Sequence, residues 1–105
     1  MDKVIKLLKS ERKQTTRSIE FFKKEIEHCD EANKELQSPG FIEKHKDSCN
    51  WTEGWTIEQY IRANVISNNR AIAKYTEKLD DANDYLLQIE RALAVLNEVA
   101  RRDTR

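Results

Sequence analysis

Apolar side chains in the second half of the chain recur at spacings that alternate between four and three residues. This heptad spacing is typical of a long helix that packs along a narrow seam against another helix. Neither Gly nor Pro interrupts the stretch from Ile61 to Ala100, so a single helix of roughly 60 Å is predicted at 1.5 Å per residue. The seam positions are Ile61, Val65, Asn68, Ile72, Tyr75, Leu79, Ala82, Leu86, Ile89, Leu93, Leu96 and Ala100.

The N-terminal part of the chain repeats this spacing, with polar interruptions at Arg12, Thr15 and Asn33. The helix should end before Pro39, because proline lacks a backbone N–H donor and disfavours helical angles at the residue that precedes it. Two such helices predict an all-α fold, a long antiparallel helical hairpin that resembles a coiled coil. The first seam comprises Met1, Ile5, Leu8, Arg12, Thr15, Ile19, Phe22, Ile26, Cys29, Asn33 and Leu36.

We expect a single helical domain over residues 1–105, with a first helix at 1–37 and a second at 57–101. The connector at 38–56 is longer than the roughly 2 to 8 residues usual between bundle helices. Pro39 is placed to start a short helix at 39–47 within it. Thr56 and Gln59 have the spacing of a capping box at the start of the second helix. Residues 102–105 form a basic tail.

The two seams align if Leu36 lies level with Glu58 beside the connector. This register places Asn33 opposite Ile61, and Leu8 opposite Leu86. A shift by seven residues keeps the same heptad pattern, so the spacing alone does not make the register unique.

A two-helix hairpin leaves the outer sides of both seams in contact with water. Along the second helix one flank is polar, whereas the other is apolar and is widened by Ile66, Ala73, Leu87 and Ala94. A helix with two neighbours needs such a broad apolar face. We therefore expect two copies to dimerise into a four-helix bundle. The predicted dimer interface comprises Tyr85, Leu87, Ala92, Ala94 and Val99.

The connector concentrates aromatic and apolar residues, which are the usual anchors of protein interfaces. The same residues would also serve as a plug that closes the end of the bundle. We expect a non-enzymatic module that binds another protein, as an adaptor, an assembly factor or an inhibitor. The predicted partner-binding residues are Phe41, Ile42, Trp51 and Trp55.

Charge adds an alternative function. The net charge is zero, from 19 basic and 19 acidic residues, but residues 1–17 sum to +4 and residues 20–58 to −5. An antiparallel hairpin brings the basic start and the basic end of the chain together, and this predicts a nucleic-acid-binding accessory protein as the alternative. The residues concerned are Lys3, Lys6, Lys9, Lys13, Arg17, Arg101, Arg102 and Arg105.

Other classes of function find little support in the sequence. His45 and Cys49 have metal-ligand spacing, but His28 and Cys29 point about 100° apart on one helix, so no metal and no cofactor are expected. No phosphate-binding loop or nucleophile motif occurs, and we expect no catalysis. No apolar run approaches the roughly 18 residues of a membrane span, and we expect a cytoplasmic protein with reduced cysteines.

Overall fold

The computed structural model describes residues 1–45 and 55–103, which form three helices with no strand among them. Helix α1 spans Asp2–Leu36, α2 spans Pro39–His45 and α3 spans Ile57–Asp103. Helices α1 and α3 pack against each other, which confirms the predicted helical hairpin. The expected end of α2 near residue 47 and the end of the basic tail lie outside the described residues.

A reciprocal cap starts α3 at the predicted position. The backbone N–H of Thr56 donates to Gln59 Oε1 at 2.9 Å, and the backbone N–H of Gln59 donates to Thr56 Oγ1 at 3.2 Å. Each side chain satisfies a backbone donor that the first turn of a helix leaves without an intrahelical partner. The capping box read from the sequence is therefore confirmed in both of its hydrogen bonds.

The end of α1 leads directly into α2. The Ser38 hydroxyl donates to the carbonyl oxygen of Glu35 at 2.7 Å, so this side chain closes α1. The backbone N–H of Phe41 donates to the Ser38 carbonyl at 3.1 Å, and Pro39 is the first residue of α2. Proline suits this position because the first helical N–H has no intrahelical acceptor.

Contacts within the chain define two compact units. The first unit comprises Met1–Lys23 and Glu77–Arg105, and the second comprises Lys24–Thr76. The expectation of a single domain stays a prediction, and each unit is described by itself.

The seam is the buried part of the first unit. Thr15, Ile19, Ile89 and Leu93 are its buried residues, and Leu93 keeps only 3% of its surface exposed. The other seam residues of this unit are half-buried, except Met1 and Arg12, which are exposed. The heptad pattern thus predicts correctly which face of each helix is removed from water.

Three asparagine side chains fix the register in the second unit. Asn33 Nδ2 donates to Asn69 Oδ1, and Asn68 Nδ2 donates to Asn33 Oδ1, each at 2.9 Å. Asn33 therefore lies opposite Asn68, and the predicted layer of Asn33 with Ile61 is wrong by one heptad. The cause is physical, because a buried amide opposite isoleucine would lose its hydrogen bonds at a cost of about 1 to 3 kcal/mol.

Burial in the first unit continues to the C-terminal end of the α3 seam. In the predicted register Leu93 faces exposed Met1, and the two seam residues that follow it, Leu96 and Ala100, have no α1 residue opposite. Instead Leu93 is buried, and Leu96 and Ala100 are half-buried. The predicted layer of Leu8 with Leu86 stays a prediction.

Candidate functional site

An apolar groove lies where the end of α1, helix α2 and the start of α3 meet. Its volume is about 530 Å³, within the roughly 300 to 1,000 Å³ of typical ligand sites. Most of its lining is aliphatic, and Arg62 and Glu58 are the charged groups at its wall. We call it the corner groove; it is lined by Leu36, Gln37, Ser38, Pro39, Ile42, Glu58, Ile61, Arg62, Val65 and Ile66.

A second groove adjoins the corner groove along α3. Its volume is about 450 Å³, and its lining is Trp55, Gln59, Arg62, Ala63 and Ile66. Arg62 and Ile66 line both grooves, so one turn of α3 forms the ridge between them. Trp55 is 44% exposed and Ile66 is 46% exposed, so both apolar side chains remain accessible.

The predicted partner-binding residues do not all lie on this surface. Ile42 lines the corner groove and Trp55 lines the adjoining groove, whereas Phe41 is half-buried and its ring packs on that of His45 at a centroid distance of 4.4 Å. Trp51 lies outside the described residues.

Sequence reasoning missed the aliphatic half of the corner groove. Leu36, Ile61 and Val65 are seam residues, and their heptad positions predicted burial between α1 and α3. At this end of the second unit they line an open groove. Their position at the end of the seam, next to the connector, was the available signal. Side chains in the last layer of a two-helix hairpin have no further layer to cover them.

A second apolar surface lies on one side of the first unit. The Tyr85 hydroxyl donates to Glu11 Oε2 at 3.2 Å, so the Tyr85 side of α3 and the Glu11 side of α1 face the same way. Val4 and Leu7 precede Glu11 by seven and four residues and share its side of the helix. Ala92 and Val99 follow Tyr85 by one and two heptads. We call this surface the flank; its apolar members are Val4, Leu7, Tyr85, Ala92, Val95 and Val99.

Helix geometry divides the predicted dimer interface between two sides of α3. Residues two apart on an α-helix are separated by about 200°. Tyr85 and Leu87 therefore point in different directions, as do Ala92 and Ala94. Ile66 occupies the same heptad position as Leu87, and it lines a groove together with Arg62 on the polar side of the seam. Leu87 and Ala94 thus do not belong to the flank.

The Glu11 carboxylate raises the pKa of Tyr85 above its ordinary value. Its negative charge is the largest cause, the hydrogen bond that it accepts is the second, and desolvation is the third. The folded state holds the Tyr85 hydroxyl proton more tightly than the unfolded chain does. The interaction therefore stabilises the folded state at pH values below the unfolded pKa of about 10. It is lost as the pH rises through the elevated pKa.

We expect Glu11→Gln to lower the pKa of Tyr85, because the substitution removes the charge and keeps a hydrogen-bond acceptor. A pH titration followed by carbon-13 NMR of the ring carbons of all three tyrosines measures this shift. Glu20→Gln removes an equal charge elsewhere on α1 and should leave the Tyr85 titration unchanged. An identical titration of Tyr85 in the Glu11 variant would disprove the interaction.

The predicted nucleic-acid-binding residues do not form one continuous group within the first unit. Arg101 and Arg102 both contact the Glu98 carboxylate, Arg102 Nε at 3.3 Å from Glu98 Oε1, so this acid offsets part of their charge. Lys9, Lys13 and Arg17 line a groove on α1, and this groove does not include Lys3 or Lys6. Arg105 lies outside the described residues.

The metal candidates are not brought together within the part of the chain that the structure describes. His28 is exposed and Cys29 is half-buried on α1, while His45 packs on Phe41. No group of three His, Cys, Asp or Glu side chains among these residues is placed to hold a metal ion. Cys49 lies outside this part. None of the helices formed by residues 1–45 and 55–103 combines the length and apolarity that crossing a membrane requires.

No protein-family model, no curated protein and no solved structure matches this chain.

Proposed function

We propose that this protein is a non-enzymatic protein–protein interaction module whose corner groove and adjoining groove bind an amphipathic helix of a partner. One observation supports this proposal: two contiguous grooves are bordered by three accessible apolar side chains, Ile42, Trp55 and Ile66. In the cell such a module serves as an adaptor, an assembly factor or an inhibitor of its partner, and the cytoplasm is its proposed location.

The chemistry of the grooves suggests what the partner presents. Apolar lining over two adjoining depressions suits a helix that inserts side chains at i, i+3 or i+4, and i+7. Arg62 lines both grooves and makes no ion pair with any other described residue. An acidic side chain on the partner helix would therefore meet an available guanidinium, and we propose a helix with an apolar face and an acid beside it.

A single charge placed on the ridge should abolish this binding. We expect Ile66→Asp to reduce capture of the partner by at least tenfold, because a carboxylate on the ridge disrupts both apolar grooves at once. Leu87→Asp is a matched control, since Leu87 has the same heptad position on α3 and the same 46% exposure. Tagged wild-type and variant chains, used as bait in native extracts, are compared by quantitative mass spectrometry.

The comparison between the two variants decides the outcome. The proposal requires a protein that wild type and Leu87→Asp both capture and that Ile66→Asp loses, while the melting temperatures of both variants agree. If no captured protein distinguishes Ile66→Asp from Leu87→Asp, the grooves are not a docking surface.

We also propose that two copies associate through the flank of the first unit. Leu7 is 66% exposed and Val95 is 63% exposed, and Val4 and Val99 extend the same apolar surface. A symmetric dimer places one patch against its own copy, so these four uncharged aliphatic side chains can pack on their counterparts without any charge pairing. The flank has fewer members than the roughly 20 to 30 residues per partner of a standard interface, which suits micromolar association.

We expect wild-type protein to sediment as a monomer–dimer equilibrium in the micromolar range. Leu7→Glu combined with Val95→Glu should give a monomer at the same concentrations, because each copy then buries two like charges. Leu87→Glu is the control and should leave the equilibrium unchanged. A dissociation constant of about 100 μM corresponds to a binding free energy on the order of −5 kcal/mol. A wild-type chain that sediments only as a monomer at about that concentration would contradict the dimer.

A further inference from the structure

A basic groove on the first unit is independent of the corner groove and of the flank. Its volume is about 440 Å³. Residues spread over about three turns of α1 line it, together with one residue from α3. Its cationic residues make no ion pair with other described residues. The lining comprises Lys9, Arg12, Lys13, Thr16, Arg17, Glu20 and Glu90.

Arg12 is unusual among the lining residues because it occupies a seam position. Elsewhere in the described chain every seam residue after Met1 is buried or half-buried, but Arg12 is exposed. Its neighbours along the α1 seam, Leu8 and Thr15, are half-buried and buried. An aliphatic residue at this position would add a packed layer to the seam, so Arg12 makes the seam less well packed. Its side chain lines the groove instead.

The other cations form a regular row. Lys9, Lys13 and Arg17 succeed each other at intervals of four residues, which corresponds to steps of about 6 Å along α1. A helix with carboxylates at every fourth position repeats its charges at the same step. We propose that this groove binds an acidic helical segment of a partner protein, with carboxylates facing this row and the Arg12 guanidinium.

The lining distinguishes an acidic peptide from a nucleic acid. Glu20 and Glu90 lie in the same groove and would repel a continuous line of phosphates, whereas a helix can place a lysine or arginine opposite each of them. No aromatic side chain is part of the lining, so the groove lacks the platform on which unpaired bases stack.

A synthetic peptide tests the proposal directly. The probe is a fluorescein-labelled helical peptide with glutamate at every fourth position, and its glutamine counterpart is the negative probe. Fluorescence anisotropy at 150 mM salt, an ionic strength that screens exposed charges beyond about 8 Å, measures binding to the full chain. A 20-base-pair DNA duplex serves as the competing ligand class.

Charge-matched variants locate the site. We expect the combined substitutions Lys9→Gln, Lys13→Gln and Arg17→Gln to weaken peptide binding by about tenfold, the effect of losing three exposed charge pairs. The control combines Lys23→Gln, Lys24→Gln and Lys34→Gln, which removes the same charge from α1 outside the groove. It should weaken binding by less than about twofold on the same reasoning.

A further variant guards against loss of folding. Arg12→Leu should keep or raise the melting temperature, because leucine restores a seam layer, and it should still weaken peptide binding severalfold. Equal losses in both triple variants would show non-specific attraction and overturn the proposal. Tighter binding of the DNA duplex than of the peptide, or unchanged peptide binding by Arg12→Leu and the groove triple, would overturn it too.

Discussion

Replacing Leu93 by alanine is expected to lower the free energy of unfolding by about 3 kcal/mol, the middle of the range for buried leucines. Leu93 is 3% exposed and belongs to the small set of buried apolar side chains in the described chain. The substitution removes apolar area from the seam and leaves a cavity that two rigid helices fill only in part. Urea denaturation followed by circular dichroism measures the loss.

Leu87→Ala is the matched control for this prediction. It makes the same chemical change on the same helix, but Leu87 is largely accessible to water, so we expect a change within about 0.5 kcal/mol. Similar losses in the two variants would mean that Leu93 is not in the seam, and the heptad interpretation of α3 would fail.

Replacing Asn33 by alanine is expected to cost about 1 to 3 kcal/mol, because it leaves two amides without their partner. Asn33 is 9% exposed. It accepts a hydrogen bond from Asn68 and donates one to Asn69. Asn68 is half-buried on the seam, so its amide loses a partner that alanine does not replace, whereas Asn69 is exposed and its amide can bond to water.

Asn83→Ala supplies the control, because Asn83 is exposed on α3 and its amide is solvated in the folded and unfolded states alike. Its loss should stay within about 0.5 kcal/mol. Equal stabilities of the Asn33 and Asn83 variants would show that the amide cluster does not hold the register.

The register shows where prediction from the sequence reached its limit. Apolar positions at heptad spacing fix which face of α1 and α3 is buried, and the structure has that face as predicted. A heptad repeat is unchanged by a shift of seven residues, so apolar spacing could not choose between Ile61 and Asn68 as the residue opposite Asn33. Hydrogen bonding between amides made that choice, and the polar interruptions at Asn33 and Asn68 were the signal for it.

The candidate surfaces were predictable to a lesser degree. Ile42 and Trp55 could be predicted as accessible from the sequence, because the connector lies outside the two seams that bury apolar side chains. The corner groove also depends on how α2 packs beside α3, which residue spacing does not determine. The division of the predicted dimer interface followed from helix geometry alone, since residues two apart cannot share a face.

Hydrogen–deuterium exchange of the chain, free and bound to the partner that wild type captures, tests the central proposal most directly. Binding to the two grooves should slow amide exchange in the segments that line them, 36–42 and 58–66, while the flank segment 85–99 exchanges as in the free chain. Slower exchange at 85–99, with no change at 36–42 and 58–66, would show that the partner binds elsewhere and would contradict the proposed function.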